Sequence, residues 1–202
     1  MDKRFTHIPA VERRRNRFLN VTLTTHEGQQ VKFYDDLLKD KTVLLNFFYT
    51  NCEAEAICPL TTANLVAVQK LLGDRVGRDI FMYSITLDPE HDTSQALGEY
   101  AQAFKVKPGW LFLTGAKADI EALRRSLGYA DLDPIVDRDR SQHIGMVRYG
   151  IERLERWAGC PSLSEPQTIV NFLTRLEPGW NRAQGAAPGV RPVLAPAHDH
   201  HG

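Results

Sequence analysis

Two cysteines separated by five residues, Cys52 and Cys58, are the clearest candidates for chemistry in this 202-residue sequence. Cys58 directly precedes Pro59, which suits the first turn of a helix because its missing N–H is not needed there. At a helix N-terminus, exposed backbone N–H groups and the positive end of the helix dipole stabilise a thiolate. A thiolate is both the nucleophile of disulfide exchange and a soft metal ligand. The pair therefore predicts either a redox site or a metal site.

The spacing of the pair restricts how the two side chains can meet. On one continuous helix, six steps of about 100° would place Cys52 and Cys58 well apart around the axis. The two sulfurs converge only if the stretch between them is a loop that folds back. The alternative is that they are two unrelated small residues of the core, since cysteine is often buried for packing alone.

The segments around the pair alternate between strand and helix patterns, which predicts an α/β sandwich with a central sheet. The cysteines follow the first strongly apolar strand, as in the thioredoxin-like layout. Open α/β sheets place their chemistry at the carboxyl ends of such strands. The predicted elements are a hairpin over 20–24 and 31–34, strands over 43–49, 80–87, 110–113 and 144–149, and helices over 59–72, 92–104, 117–127 and 164–176.

The two ends of the chain differ in composition from its centre. Residues 1–19 are polar and charged and predict a loosely ordered lead-in, followed by one domain over 20–177. Residues 178–202 are rich in Gly, Pro and Ala and predict a disordered tail. This tail carries His198, His200 and His201, which either bind Cu(II), Ni or Zn loosely or form a solvated end.

Composition excludes several classes of protein. The 25 acidic and 25 basic residues give a net charge of zero, which argues against a nucleic-acid partner, since such proteins normally carry a basic face. No window has the roughly 18 apolar residues of a membrane span. The arginines at 13–15 and 17 superficially resemble an export signal, but no apolar stretch follows them. We therefore expect no signal or transmembrane segment within this chain.

Several short motifs together carry a family resemblance. Each motif is weak alone, but they occur in the same order as in the SCO/SenC family of copper chaperones, which act in cytochrome c oxidase assembly, and the similarity extends over about residues 20–176. The matching segments are Tyr49-Thr50-Asn51-Cys52, Cys58-Pro59, Ile85-Thr86-Leu87-Asp88-Pro89-Glu90-His91-Asp92-Thr93, Pro108-Gly109-Trp110-Leu111-Phe112-Leu113-Thr114-Gly115 and Ser141-Gln142-His143.

The resemblance implies a thioredoxin-like fold with an extra hairpin and a copper site of two cysteines and one histidine. By position, these ligands are Cys52, Cys58 and His143. Two thiolates and an imidazole suit Cu(I) and, with a further weak ligand, Cu(II), whereas structural zinc prefers four protein ligands. The family motif has three residues between its cysteines and this chain has five, which bears directly on copper affinity and on redox behaviour.

Three functions follow from these observations. The first is a metallochaperone that delivers copper to an apo copper-site acceptor, such as a respiratory oxidase subunit. The second is a thiol–disulfide oxidoreductase that uses Cys52 and Cys58, and the third is a binding module that retains only the scaffold. The family resemblance also implies an extracytoplasmic location, in the periplasm and associated with a membrane.

Two further groups of residues have structural interpretations. The stretch from Asp88 to Asp92 includes three carboxylates and a histidine and resembles a metal cluster. We interpret it as a strand end, a turn at Pro89 and a helix capped by Asp92. Cys160 is interpreted as a partly buried structural thiol, with an intermolecular disulfide as the alternative.

Overall fold

A seven-stranded mixed sheet forms the centre of the protein, seen in a computed structural model that describes residues 9–51, 57–138 and 145–179. The strands are β1 (Thr22–Thr25), β2 (Gln30–Lys32), β3 (Thr42–Phe48), β4 (Ile80–Thr86), β5 (Trp110–Gly115), β6 (Met146–Ile151) and β7 (Arg156–Pro161). They lie in the order β2-β1-β5-β4-β3-β6-β7.

The three central strands β5, β4 and β3 run parallel to one another. In β3, all residues after Thr42 are buried, as expected of a strand that is covered on both faces. The antiparallel strands β1 and β6 flank this parallel centre. The carboxyl ends of β3, β4 and β5 therefore meet at one edge of the sheet, the edge at which the cysteine segment begins.

Helices cover both faces of the sheet and bury two apolar clusters. Helices α2, α3 and α6 pack on one face, and α4 packs on the other together with a π-helical segment over Phe33–Leu38. The helices are α1 (Ala10–Arg17), α2 (Ile57–Leu72), α3 (Ser94–Ala103), α4 (Lys117–Ser126), α5 (Pro134–Arg138) and α6 (Pro166–Thr174). The predicted α/β class with a central sheet is confirmed. No helix within the described ranges combines the length and the apolar character that a membrane crossing requires.

The predicted hairpin is present as β1 and β2, but its second strand is shorter than expected. The strand ends at Lys32 because the next six residues wind into the π-helical segment, which buries Phe33 and Tyr34 in the core. Strand β7 was not predicted. Its residues are mostly exposed or half-buried, so it lacks the alternating pattern by which strands are recognised.

The N-terminal lead-in contains a helix that the sequence analysis did not predict. Helix α1 is held by ion pairs from Arg13 to Glu155 at 3.2 Å and from Arg14 to Glu152 at 3.1 Å. Glu152 is only 1% exposed, so the second pair fixes the helix against the body of the protein. Ala10–Arg17 is therefore helical, while the loose order of the lead-in and the domain boundaries at residues 20 and 177 remain predictions.

Candidate metal centre

Cys58 lies at the start of α2, as the sequence predicted. It is the second residue of the helix and its side chain is buried, with 2% exposure. The backbone N–H of Tyr49, directly after β3, donates to its sulfur over 3.5 Å. The helix N-terminus and this amide both favour negative charge on the sulfur, as a nucleophile or soft ligand requires.

The other two predicted ligands lie outside the described residues. Cys52 falls in 52–56 and His143 in 139–144, and the histidines of the tail fall in 180–202. Their roles as ligands therefore stay predictions. The residues that border these stretches are described, and they show which segments lie next to Cys58.

The border residues of two separate stretches meet beside Cys58. A Cβ built on Gly145 would lie 3.0 Å from Cδ1 of Ile57, the first residue of α2. The carbonyl of Gly145 accepts a hydrogen bond from the Ser162 N–H at 2.9 Å, and the Ser162 hydroxyl lies 2.8 Å from that of Thr61. Gly145, which follows residues 139–144, is thus packed against Ile57, which precedes Cys58.

On the other side of the site, a buried carboxylate holds the end of β3. Asp92 is 2% exposed and accepts from the Thr50 N–H at 3.2 Å, from the Thr50 hydroxyl and from the Thr86 hydroxyl. The prediction that Asp92 caps α3 is wrong. Thr93 is the N-cap residue, and its hydroxyl accepts from the Ala96 N–H at 3.2 Å, because the Asp92 carboxylate is engaged with the ends of β3 and β4.

The stretch from Asp88 to Asp92 forms the expected strand end and turn, but not the expected cap by Asp92. Nδ1 of His91 lies 3.0 Å from both carboxylate oxygens of Asp88, and the Asp88 N–H donates to the Thr86 hydroxyl at 2.9 Å. Among the described residues, no group of three His, Cys, Asp or Glu side chains is placed to hold a metal ion.

A largely buried ion pair, which the sequence analysis did not predict, lies just before residues 139–144, the stretch that contains His143. Arg124 of α4 holds both oxygens of Asp137 in α5, at 2.6 and 2.7 Å, and also donates to the Tyr129 carbonyl at 3.0 Å. The side chains of Arg124 and Asp137 are 12% and 6% exposed. Arg124 holds the pKa of Asp137 well below its usual range. No local pattern in the sequence signals a pair of this kind.

Cys160 is a core residue, which agrees with its structural interpretation. It is 6% exposed and faces Val147 across the β6–β7 ladder. Burial raises the pKa of its thiol, so this sulfur is poorly suited to nucleophilic chemistry.

Comparison with known proteins identifies the family. The family model SCO1/SenC matches residues 14–142, more than half of the chain. The chain belongs to the SCO1/SenC family. Among relatives, it is 34% identical over 105 residues to the mitochondrial SCO1 homolog 1 of Arabidopsis thaliana and 34% identical over 89 residues to a SCO2-like protein of Rickettsia conorii. These alignments cover 52% and 44% of this chain, but only 30% and 41% of the relatives.

Solved structures of the family share the fold. A SCO1/SenC family lipoprotein from Bacillus anthracis superposes with a TM-score of 0.65 at 23% identity, over 79% of this chain and 94% of that one. ScoI of Bradyrhizobium japonicum with copper bound gives a TM-score of 0.61 at 25% identity, over 77% and 96%. The predicted thioredoxin-like fold and membership of a copper-binding family are thereby confirmed. The family match ends at residue 142, so His143 is assigned from the Ser-Gln-His motif alone.

Proposed function

We propose that this protein is a copper metallochaperone that binds copper through Cys52, Cys58 and His143 and passes it to an apo copper site, such as that of a respiratory oxidase subunit. Family membership and the copper-bound ScoI of Bradyrhizobium japonicum support the copper-binding part of this proposal. Copper is the cargo of the protein, and the two thiolates and the imidazole form the soft donor set that Cu(I) prefers.

The contact between Gly145 and Ile57 is the observation on which the proposal depends. His143 precedes Gly145 by two residues, a chain length of at most about 7 Å. Cys52 follows Tyr49 by three residues, or at most about 11 Å, and the Tyr49 amide itself contacts the Cys58 sulfur. All three predicted ligands are therefore within reach of one point at the carboxyl edge of the sheet.

The burial of Cys58 suggests an order for the transfer. In a ligand exchange, thiols of the acceptor replace the ligands of the donor one at a time. Because Cys58 is 2% exposed and lies within α2, we propose that Cys52 and His143 are replaced first and that Cys58 releases the metal last.

A thiol–disulfide oxidoreductase is the second candidate function. The amide that donates to the Cys58 sulfur and the helix N-terminus favour a thiolate at Cys58. Either Cys58 or Cys52 would attack an acceptor disulfide to form a mixed disulfide, and the other cysteine would then resolve it. This reaction needs the two cysteines but has no requirement for His143.

We propose an extracytoplasmic, membrane-associated location. The Bacillus anthracis relative is described as a lipoprotein and the Arabidopsis relative as mitochondrial. Both descriptions support a place close to a membrane.

Anaerobic titration of the reduced protein with Cu(I) tests the proposal. We expect one tight equivalent in the wild type, weakened by Cys52→Ser, by Cys58→Ser and by His143→Ala, and retained after deletion of 180–202. Cys160→Ala and His91→Ala are matched controls, since the first removes a core thiol and the second an imidazole that is 78% exposed. We expect both controls to bind like the wild type.

The same variants distinguish the candidate functions. If His143→Ala binds copper like the wild type while the protein reduces insulin disulfides efficiently, the oxidoreductase function replaces the chaperone. If all the variants match the wild type in both assays, only the scaffold function remains.

A further inference from the structure

Asp92 is a buried carboxylate that the copper site does not use directly. Its side chain contacts three hydrogen-bond donors, namely the amide and the hydroxyl of Thr50 and the hydroxyl of Thr86. Within the described ranges, none of these donors is a cation. A carboxylate that is buried among neutral donors is costly to desolvate, whereas an apolar residue at this position would avoid that cost. The presence of the carboxylate therefore calls for a role beyond packing.

The contacts of Asp92 reach the site through two consecutive backbone amides. The Tyr49 amide donates to the Cys58 sulfur and the next amide, that of Thr50, donates to Asp92. The chain that leaves β3 is thus tied to the start of α2 at one residue and to Asp92 at the following one. Cys52 is only two residues further along.

We propose that Asp92 is a positioning residue that holds Thr50, two residues before Cys52, and so favours the joint action of Cys52 and Cys58. The inference rests on the proposed site, and it applies whether the two cysteines bind copper or form a disulfide. Five residues separate the two cysteines in sequence, and a longer connecting segment gains more conformational freedom when one of its ends is released. Loss of the Asp92 contacts should therefore reduce the effective concentration of one thiol at the other.

Thiol–disulfide exchange with dithiothreitol measures this effective concentration without copper. One protein disulfide and one dithiothreitol dithiol are converted into the protein dithiol and one oxidised dithiothreitol, so the electrons and protons balance. In Asp92→Ala we expect the equilibrium to shift towards the protein dithiol by about tenfold, as for the loss of one hydrogen bond to a charged group. In Asp92→Asn, which retains one acceptor oxygen, we expect a smaller shift in the same direction.

Glu152→Gln provides a matched control at the opposite end of the sheet. Glu152 is also a buried carboxylate, 1% exposed, and accepts from the Tyr34 hydroxyl at 2.9 Å and the Asp40 N–H at 2.8 Å. We expect its substitution to destabilise the fold but to leave the dithiothreitol equilibrium unchanged. Similar shifts in the Asp92 and Glu152 variants would overturn the proposal, because the effect would then reflect general stability.

If Asp92→Ala fails to fold, two substitutions at Thr50 test the same contact. Thr50→Val removes the hydroxyl that donates to Asp92 and should shift the equilibrium towards the dithiol, while Thr50→Ser should restore it. An unchanged equilibrium in both Thr50→Val and Asp92→Asn would refute the positioning role. If the wild type binds no copper but the Asp92 shift is observed, the positioning role stands and the copper proposal fails.

Discussion

Replacement of Arg124 by leucine should lower the free energy of unfolding by about 3 kcal/mol, because it leaves a buried carboxylate without its main partner. Arg124 holds both oxygens of Asp137, and both side chains are largely buried. The pair joins α4 to α5, and Asp137 lies six residues before His143. The substitution therefore perturbs the anchor of the stretch that carries the predicted imidazole ligand.

The magnitude follows from the partners that remain. Removal of one member of a buried ion pair typically costs about 3–5 kcal/mol. Asp137 keeps contacts with Arg125 at 3.0 Å and with the Asp131 N–H at 2.8 Å, which places the estimate at the lower end of that range. The contacts of Arg124 with Glu121 add little, since Glu121 is 44% exposed and exposed pairs contribute at most about 1 kcal/mol.

The contribution of the Arg124–Asp137 pair to the free energy of unfolding should decrease at low pH and stay constant near neutral pH. The contact with Arg124 lowers the pKa of Asp137 in the folded protein, while the unfolded chain has the ordinary value of about 3.9. A lowered pKa contributes stability that is complete above pH values near 4 and is lost as the pH falls through the folded pKa. The difference between wild type and Arg124→Leu should thus be constant from about pH 5 to 8 and should shrink below about pH 4.

Urea unfolding followed by tryptophan fluorescence measures these free energies, and hydrogen exchange over 130–138 reports whether α5 loosens locally. Arg125→Leu is the matched control, because Arg125 is 59% exposed and its loss should cost less than about 1 kcal/mol. Equal losses in the two variants, or a difference that persists unchanged at pH 3, would contradict this account of the pair.

Two further predictions concern a close approach between two backbone segments and a buried thiol. Gly109 has φ +90°, and an added Cβ would lie 2.4 Å from the Gly77 nitrogen. Gly109→Ala should therefore lower the free energy of unfolding by about 3 kcal/mol. A loss below about 1 kcal/mol in urea titrations would show that the two backbone segments move apart at little cost. Cys160 should be alkylated by iodoacetamide on the order of 100-fold more slowly in the native protein than in guanidinium at pH 8, because it is buried and its thiol pKa is raised; mass spectrometry measures both rates, and equal rates would argue against a buried structural thiol.

Part of the fold was predictable because its signals are local. The apolar run of β3 indicated a strand covered on both faces, and Pro59 indicated a helix that starts next to Cys58; both features are present. The hairpin of β1 and β2 followed from two short β-prone runs around a turn at Gly28. Each of these signals lies within a few residues of the feature that it predicts.

The missed features depend on partners that are distant in sequence. Helix α1 is polar and is held by Glu152 and Glu155, more than 130 residues away, and β7 is a strand because it pairs with β6. The sequence around Asp92 resembles a capping box, yet Thr93 caps the helix because Thr50 and Thr86 engage the Asp92 carboxylate.

For the candidate site, the sequence alone determined the residue types: two thiols and an imidazole, in the motif order of a copper-binding family. Only the tertiary structure brought Gly145 against Ile57 and tied Thr50 to Asp92. The physical reason is that the chemistry of a ligand belongs to its own side chain, whereas its position is set by hydrogen bonds and packing between segments that meet only after the chain has folded.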